Sequence, residues 1–98
     1  MDLNRKILKQ IISIIEDKQR GTSFPMKFKI TKDSYYFYNY FLEIKFSDKI
    51  IAYIVIEDNK IRLLKSPPKV MLERDIRADD INKFVNEAFE LVRNFDLL

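Results

Sequence analysis

The chain has 98 residues, of which 18 are lysine or arginine and 15 are aspartate or glutamate, so its formal net charge is +3. It contains no histidine and no cysteine, which excludes disulfides, thiolate chemistry, the usual zinc sites and any nucleophile paired with a histidine. Its single glycine leaves no glycine-rich phosphate loop. The length suits one domain with one core, and no cofactor and no metal is predicted.

Residues 3–19 are predicted to form an amphipathic helix. Apolar side chains occupy one half of the helical wheel and charged side chains the other half. The apolar set consists of Leu3, Ile7, Leu8, Ile11, Ile12, Ile14 and Ile15. We expect this stripe to face the core of the protein.

Four strands are predicted after this helix, because apolar residues alternate there with other residues in a period of two. In the first strand Pro25, Lys27 and Lys29 are typical of a sheet edge. The predicted strands are 24–31, 36–46, 50–57 and 60–65.

The alternation and the loop lengths together predict the register of the last three strands. Pairing Phe46 with Ile50 leaves a three-residue loop, and pairing Glu57 with Lys60 leaves a two-residue loop. Aspartate and asparagine, which form the second loop, tolerate the positive φ that such a turn needs. With the first strand beside the second, we expect an antiparallel meander.

Two prolines follow Ser66 and predict that the sheet ends there. Residues 66–77 are therefore predicted to be a connector, although a short extra strand between Val70 and Asp75 stays open. Residues 78–95 follow the spacing of a second amphipathic helix. The predicted fold is α+β: a two-layer sandwich in which both helices pack on one face of a four-stranded antiparallel sheet.

The sheet face that the helices do not need carries an apolar strip with a charged border. The strip is predicted to contain Phe37, Phe41, Ile51, Tyr53, Val55 and Leu64. The basic rim is predicted to contain Lys27, Lys29, Lys45, Lys60 and Arg62. The expected rows across the strands are Lys27–Phe41–Val55–Arg62, Lys29–Asn39–Glu57–Lys60 and Glu43–Tyr53–Leu64, with Lys45–Ile51 beside the last.

Three interpretations of this face remain open. Residues 66–77 or a helix could cover it; it could join two copies of the chain in a homodimer or contact another protein; or it could bind DNA or RNA through its aromatic and basic side chains. The main prediction is a cytoplasmic, non-enzymatic binding and assembly domain that forms a homodimer through the strip. The alternative is a nucleic-acid-binding protein that uses the strip and the basic rim. No catalytic residue and no membrane partner is predicted.

Overall fold

The computed structural model describes residues 3–21, 26–32, 40–66 and 69–95. Its elements are α1 (Leu3–Gln19), β1 (Met26–Thr31), β2 (Phe41–Phe46), β3 (Lys49–Glu57), β4 (Lys60–Ser66), β5 (Lys69–Asp75) and α2 (Ala78–Phe95). The strands form one antiparallel sheet in the order β1-β2-β3-β4-β5, so that β1 and β5 are its edges. Both helices pack on one face, here called the inner face, and the protein is a small single domain with a two-layer α+β architecture.

The main core lies between the inner face and the two helices. Its fully buried side chains come from both layers, since alternate residues of β2, β3 and β4 point toward the helices. They include Leu8, Ile11, Ile15, Leu42, Ile44, Ile54, Ile61, Leu63, Phe84, Val85 and Val92. Each such burial contributes about 1.5–3 kcal/mol. Neither helix, within its described residues, has the length and apolarity that a membrane span needs.

The sheet has five strands, and the prediction of four was wrong. The segment Lys69–Asp75, which was expected to be part of a connector, pairs with β4 along its length. The alternation is broken in this segment because Met71 is an extra residue at a bulge, between the pairs Leu63–Leu72 and Leu64–Val70. A strand at the edge of a sheet also buries little, so its hydrophobic pattern is weak.

The two turns that the structure describes, between β2 and β3 and between β3 and β4, are both two-residue turns. Asp58 and Asn59 have φ values of 53° and 59°, and Glu57 pairs with Lys60 as predicted. Ser47 and Asp48 likewise have positive φ, 53° and 64°. The expected three-residue loop between β2 and β3 is therefore wrong.

A β-bulge in β3 accounts for that difference. Lys45 pairs with Ile50, whereas Ile44 pairs with Ala52, so that Ile51 is an extra residue. Beyond the bulge the predicted register holds. At the bulge the alternation is displaced by one residue, which moves Ile51 to the inner face and leaves Ile50 37% exposed.

The register of β1 also differs from the prediction. Lys27 lies opposite Lys45 rather than Phe41, and Lys29 lies opposite Glu43. Asn39, its expected neighbour, lies outside the described residues. The sequence could not fix this register, since the segment that joins β1 to β2 is too long for a turn type to constrain the pairing.

The last residue of α1 is joined to the first residue of β1. The Gln19 side chain donates from Nε2 to the Met26 carbonyl at 3.2 Å, and its Oε1 accepts from the Met26 amide at 3.1 Å. Gly21 follows with φ of 79°, the left-handed conformation that often ends a helix. The C-terminal turn of α1 is thereby held at the end of the sheet where β1 begins.

Candidate binding surface on the sheet

The outer face, which lies away from the helices, has a buried centre. Phe41, Val55 and Leu64 are only 2%, 2% and 4% exposed, and the half-buried Tyr53 packs against them. The ring centroids of Phe41 and Tyr53 are 6.0 Å apart at an interplanar angle of 52°. These four residues form a second small core, so they do not provide the exposed apolar strip that the sequence predicted.

The two other residues of the predicted strip do not join this cluster in the described structure. Ile51, which was assigned to the outer face, is 8% exposed and belongs to the main core with the helices. The reason is the bulge, which adds one residue to β3 and reverses the direction of its side chain. Phe37 lies outside the described residues.

Polar contacts border the second core on both sides. On the β1 side, Thr31 Oγ1 donates to Glu43 Oε1 at 3.1 Å. On the β5 side, Arg62 Nε donates to Glu73 Oε2 at 2.5 Å. Residues 69–75 therefore extend the outer face beside β4, and the expectation that the connector segment covers this face does not hold for them.

Two cations of the predicted basic rim are paired with acids of β5. Lys60 Nζ lies 2.8 Å from Asp75 Oδ1, and this hydrogen bond raises the pKa of Lys60 and lowers the pKa of Asp75. The hydrogen bond from Arg62 to Glu73 likewise raises the pKa of the Arg62 guanidinium. The charges of Lys60 and Arg62 are thus compensated within the chain.

Two of the remaining rim lysines, Lys27 and Lys45, lie toward one end of the sheet, here called the basic end. At this end β1 begins, β2 turns into β3, and β4 leads into β5. Each of the five strands contributes one lysine to it: Lys27, Lys45, Lys49, Lys65 and Lys69. Asp48 is the single acidic residue within 26–28, 45–50, 65–66 and 69–71, so these segments carry a net charge of +4. The folding of the chain has gathered charges that are far apart in sequence.

Two lysines of the basic end are directly opposed across neighbouring strands. Lys27 and Lys45 are register partners on β1 and β2, where side chains of opposite residues share a face. Like charges in this position destabilise a sheet. An anion bound between the two ammonium groups would remove that repulsion. Lys29, one row away, instead faces Glu43.

The exposed apolar residues are also concentrated at the basic end. Among the residues that the structure describes, the exposed large hydrophobic side chains are Leu3 at 63%, Val70 at 44%, and Ile50 and Met71 at 37% each. Three of these four lie in the segments that carry the five lysines. Sequence reasoning missed Ile50, Val70 and Lys69 because the bulges and the fifth strand decide their positions.

The outer face also carries the carboxylates Glu43 and Glu57. Glu43 pairs with Tyr53 and Glu57 pairs with Lys60, so the two acids lie on neighbouring strands without facing each other, as predicted. Within the described ranges no group of three or more acidic side chains is placed to hold a metal ion. Comparison of the chain with protein-family models, curated proteins and solved structures gives no match.

Proposed function

We propose that this protein is a cytoplasmic, non-enzymatic binding domain whose basic end binds the phosphate backbone of a nucleic acid. The observation that carries the proposal is the convergence of one lysine from each of five strands on the same end of the sheet. Lysine side chains neutralise phosphates and release condensed counterions, which supplies most of the affinity in such contacts. The directly opposed Lys27 and Lys45 lie at the β1 edge of the surface.

The proposed site differs from the predicted basic rim. Lys27 and Lys45 remain in it, while Lys60 and Arg62 are excluded because Asp75 and Glu73 already compensate them. Lys29 is also left out, since it faces Glu43 in the register of β1 and β2. The lysines that join the site are Lys49, Lys65 and Lys69.

The expected affinity of this surface depends strongly on salt. If all five lysines contact phosphates, raising the salt concentration from about 50 to 200 mM should weaken binding by about two orders of magnitude. Replacing Lys27 and Lys45 by glutamine should weaken binding by about tenfold and reduce the slope of log K against log salt by about 1.5. Fluorescence anisotropy of a labelled oligonucleotide measures both quantities.

A matched control removes the same amount of charge elsewhere on the same face. Lys60→Gln with Arg62→Gln also lowers the net charge by two, but these residues are compensated by β5. We expect the control to change affinity by less than about threefold and to leave the salt slope unchanged. Equal losses in the two variants would show attraction by net charge alone, and absence of binding to DNA and RNA would refute the proposed function.

Homodimer formation is a second candidate, and the open edge of β5 favours it. This strand is the last in the sheet and exposes Val70 and Met71, which pairing with a second copy would cover. The centre of the outer face is buried within one chain, at Phe41, Val55 and Leu64. A dimer that uses the outer face would therefore have to form its contacts through residues at the border of that face.

Light scattering of the purified protein at low and high salt tests the dimer. This candidate predicts a dimer mass for the wild type and a monomer mass for the double variant Val70→Glu and Met71→Glu, because charges would be buried in the contact. Leu3→Glu is the control, since Leu3 is exposed on α1 and should leave the mass unchanged. A monomeric wild type at concentrations of about 100 µM would eliminate this candidate.

A further inference from the structure

On the outer face, the basic end combines positive charge with exposed apolar surface, since Lys27, Lys45 and Ile50 lie in one row across β1, β2 and β3. Ile50 is the register partner of Lys45, and Val70 is the partner of Leu64, whose side chain belongs to the outer-face core. The half-buried Tyr53 pairs with Leu64 from the other side and so lies in the same row as Val70. A ligand that runs across the strands on the outer face from Lys27 and Lys45 therefore passes over Ile50 and then toward Val70.

The two forms of nucleic acid offer different surfaces to such a site. A duplex directs its phosphates outward and keeps the flat faces of its bases stacked inside, so apolar side chains beside the lysines would face its charged backbone. A single strand can turn unpaired bases toward the protein while its phosphates remain on the lysines. Only the second arrangement removes the exposed apolar side chains from water.

We propose that the ligand of the basic end is single-stranded nucleic acid, with phosphates held by the lysines and base faces packed against Ile50 and Val70. This inference rests on the proposed function and adds the strand state of the ligand. Tyr53, which lies close to Ile50 on β3 and is separated from Val70 by Leu64, borders the same base-contacting surface.

The exposed residues suit an unpaired base better than a lipid bilayer. Every aromatic side chain whose burial the structure describes is buried or half-buried, so none is placed as an anchor in a membrane interface. Ile50 and Val70 lie within strands and are 37% and 44% exposed, and they do not project from a loop into a lipid phase. Flat bases lying along the sheet reach such side chains without insertion.

The test compares one labelled strand of about 20 nucleotides, free and annealed to its complement, at about 100 mM salt. We expect the intact protein to bind the free strand about tenfold more tightly than the duplex. Replacing Ile50 and Val70 by serine keeps the charge constant and should weaken binding of the free strand about fivefold, with no change for the duplex. Leu3→Ser removes a similar exposed apolar side chain far from the lysines and should change neither affinity.

The outcomes separate this inference from the proposed function. Equal or tighter binding of the duplex, lost in the Lys27→Gln and Lys45→Gln variant, would overturn the single-strand inference and leave the proposed function intact. Binding of neither form would overturn both. Vesicles with anionic headgroups are tested as a third ligand. If the protein binds these vesicles but neither oligonucleotide, both the proposed function and the single-strand inference are wrong. Far-UV circular dichroism of each variant confirms that the change in affinity does not reflect unfolding.

Discussion

The double variant Tyr53→Glu and Val55→Glu is expected to unfold, with loss of the far-UV circular dichroism of the native protein. Val55 is 2% exposed and packs in the outer-face core with Phe41 and Leu64. Arg62, the register partner of Val55, already donates to Glu73, so a carboxylate at position 55 would compete for an engaged cation. Its burial should reduce the free energy of unfolding by about 4 kcal/mol or more. A small domain has a total stability of only about 5–15 kcal/mol. Adding Tyr53→Glu in the same cluster should therefore remove most of the remaining free energy of unfolding.

The stability of the single variant Val55→Glu is expected to depend on pH. Apolar surroundings raise the pKa of a buried glutamate above its ordinary value of about 4.3. The folded variant then holds its proton to a higher pH than the unfolded variant does, so stability should fall as the pH rises above about 4. Urea unfolding of the wild type and of Val55→Glu at acidic and neutral pH measures the difference, which should be smaller at acidic pH.

The control for both experiments is the double variant Val70→Glu and Met71→Glu. It adds the same two charges at residues that are 44% and 37% exposed, so its dichroism should remain native. If Tyr53→Glu with Val55→Glu stays folded and changes only the assembly state, the outer face is a contact surface between molecules. That result would restore the function first predicted from the sequence.

Ile51→Lys is expected to destabilise the protein strongly, whereas Ile50→Lys should be tolerated. Ile51 is 8% exposed in the main core, and Ile50 is 37% exposed on β3. Burying an unpaired ammonium group costs about 3 kcal/mol or more, while a substitution at an exposed strand position usually changes stability by about 0.5 kcal/mol. Because the two substitutions are chemically identical and adjacent in one strand, differences in β-propensity largely cancel.

Urea unfolding of the two variants also tests the register of β2 and β3. Simple alternation through β3 places Ile50 inside and Ile51 outside, and it therefore predicts the opposite order of stabilities. The bulge between the pairs Ile44–Ala52 and Lys45–Ile50 reverses that order. Equal stabilities, or a less stable Ile50→Lys, would show that the bulge is absent in solution.

Much of the fold follows from the spacing of apolar residues along the chain. The apolar stripes of α1 and α2 recur at helical spacing, and the structure has these helices at residues 3–19 and 78–95, the predicted bounds. The turn at Asp58 and Asn59 was predictable because residue type and loop length point to the same pairing. These are local properties, and each is set by a few neighbouring residues.

The bulges and the fifth strand were not predictable by the same reasoning. A bulge is a local exception to alternation that becomes favourable only when the partner strand is in place, as Ile51 shows by packing against the helices. Strand β5 has a weak pattern of its own and obtains its hydrogen bonds from β4. Its acids also neutralise Lys60 and Arg62, which removes both from the candidate site.

The sequence was sufficient to predict the α+β class, the two helices and the central meander, because these depend on the period of the apolar residues and on short turns. The sequence also sets the net charge of +3 and makes lysine the more frequent of the two basic residues. The tertiary structure alone decided which lysines lie together, since Lys27 and Lys69 are 42 positions apart in the chain and share one end of the sheet. A surface of this kind is set by strand order and register, which are long-range properties, and no local pattern in the sequence encodes it.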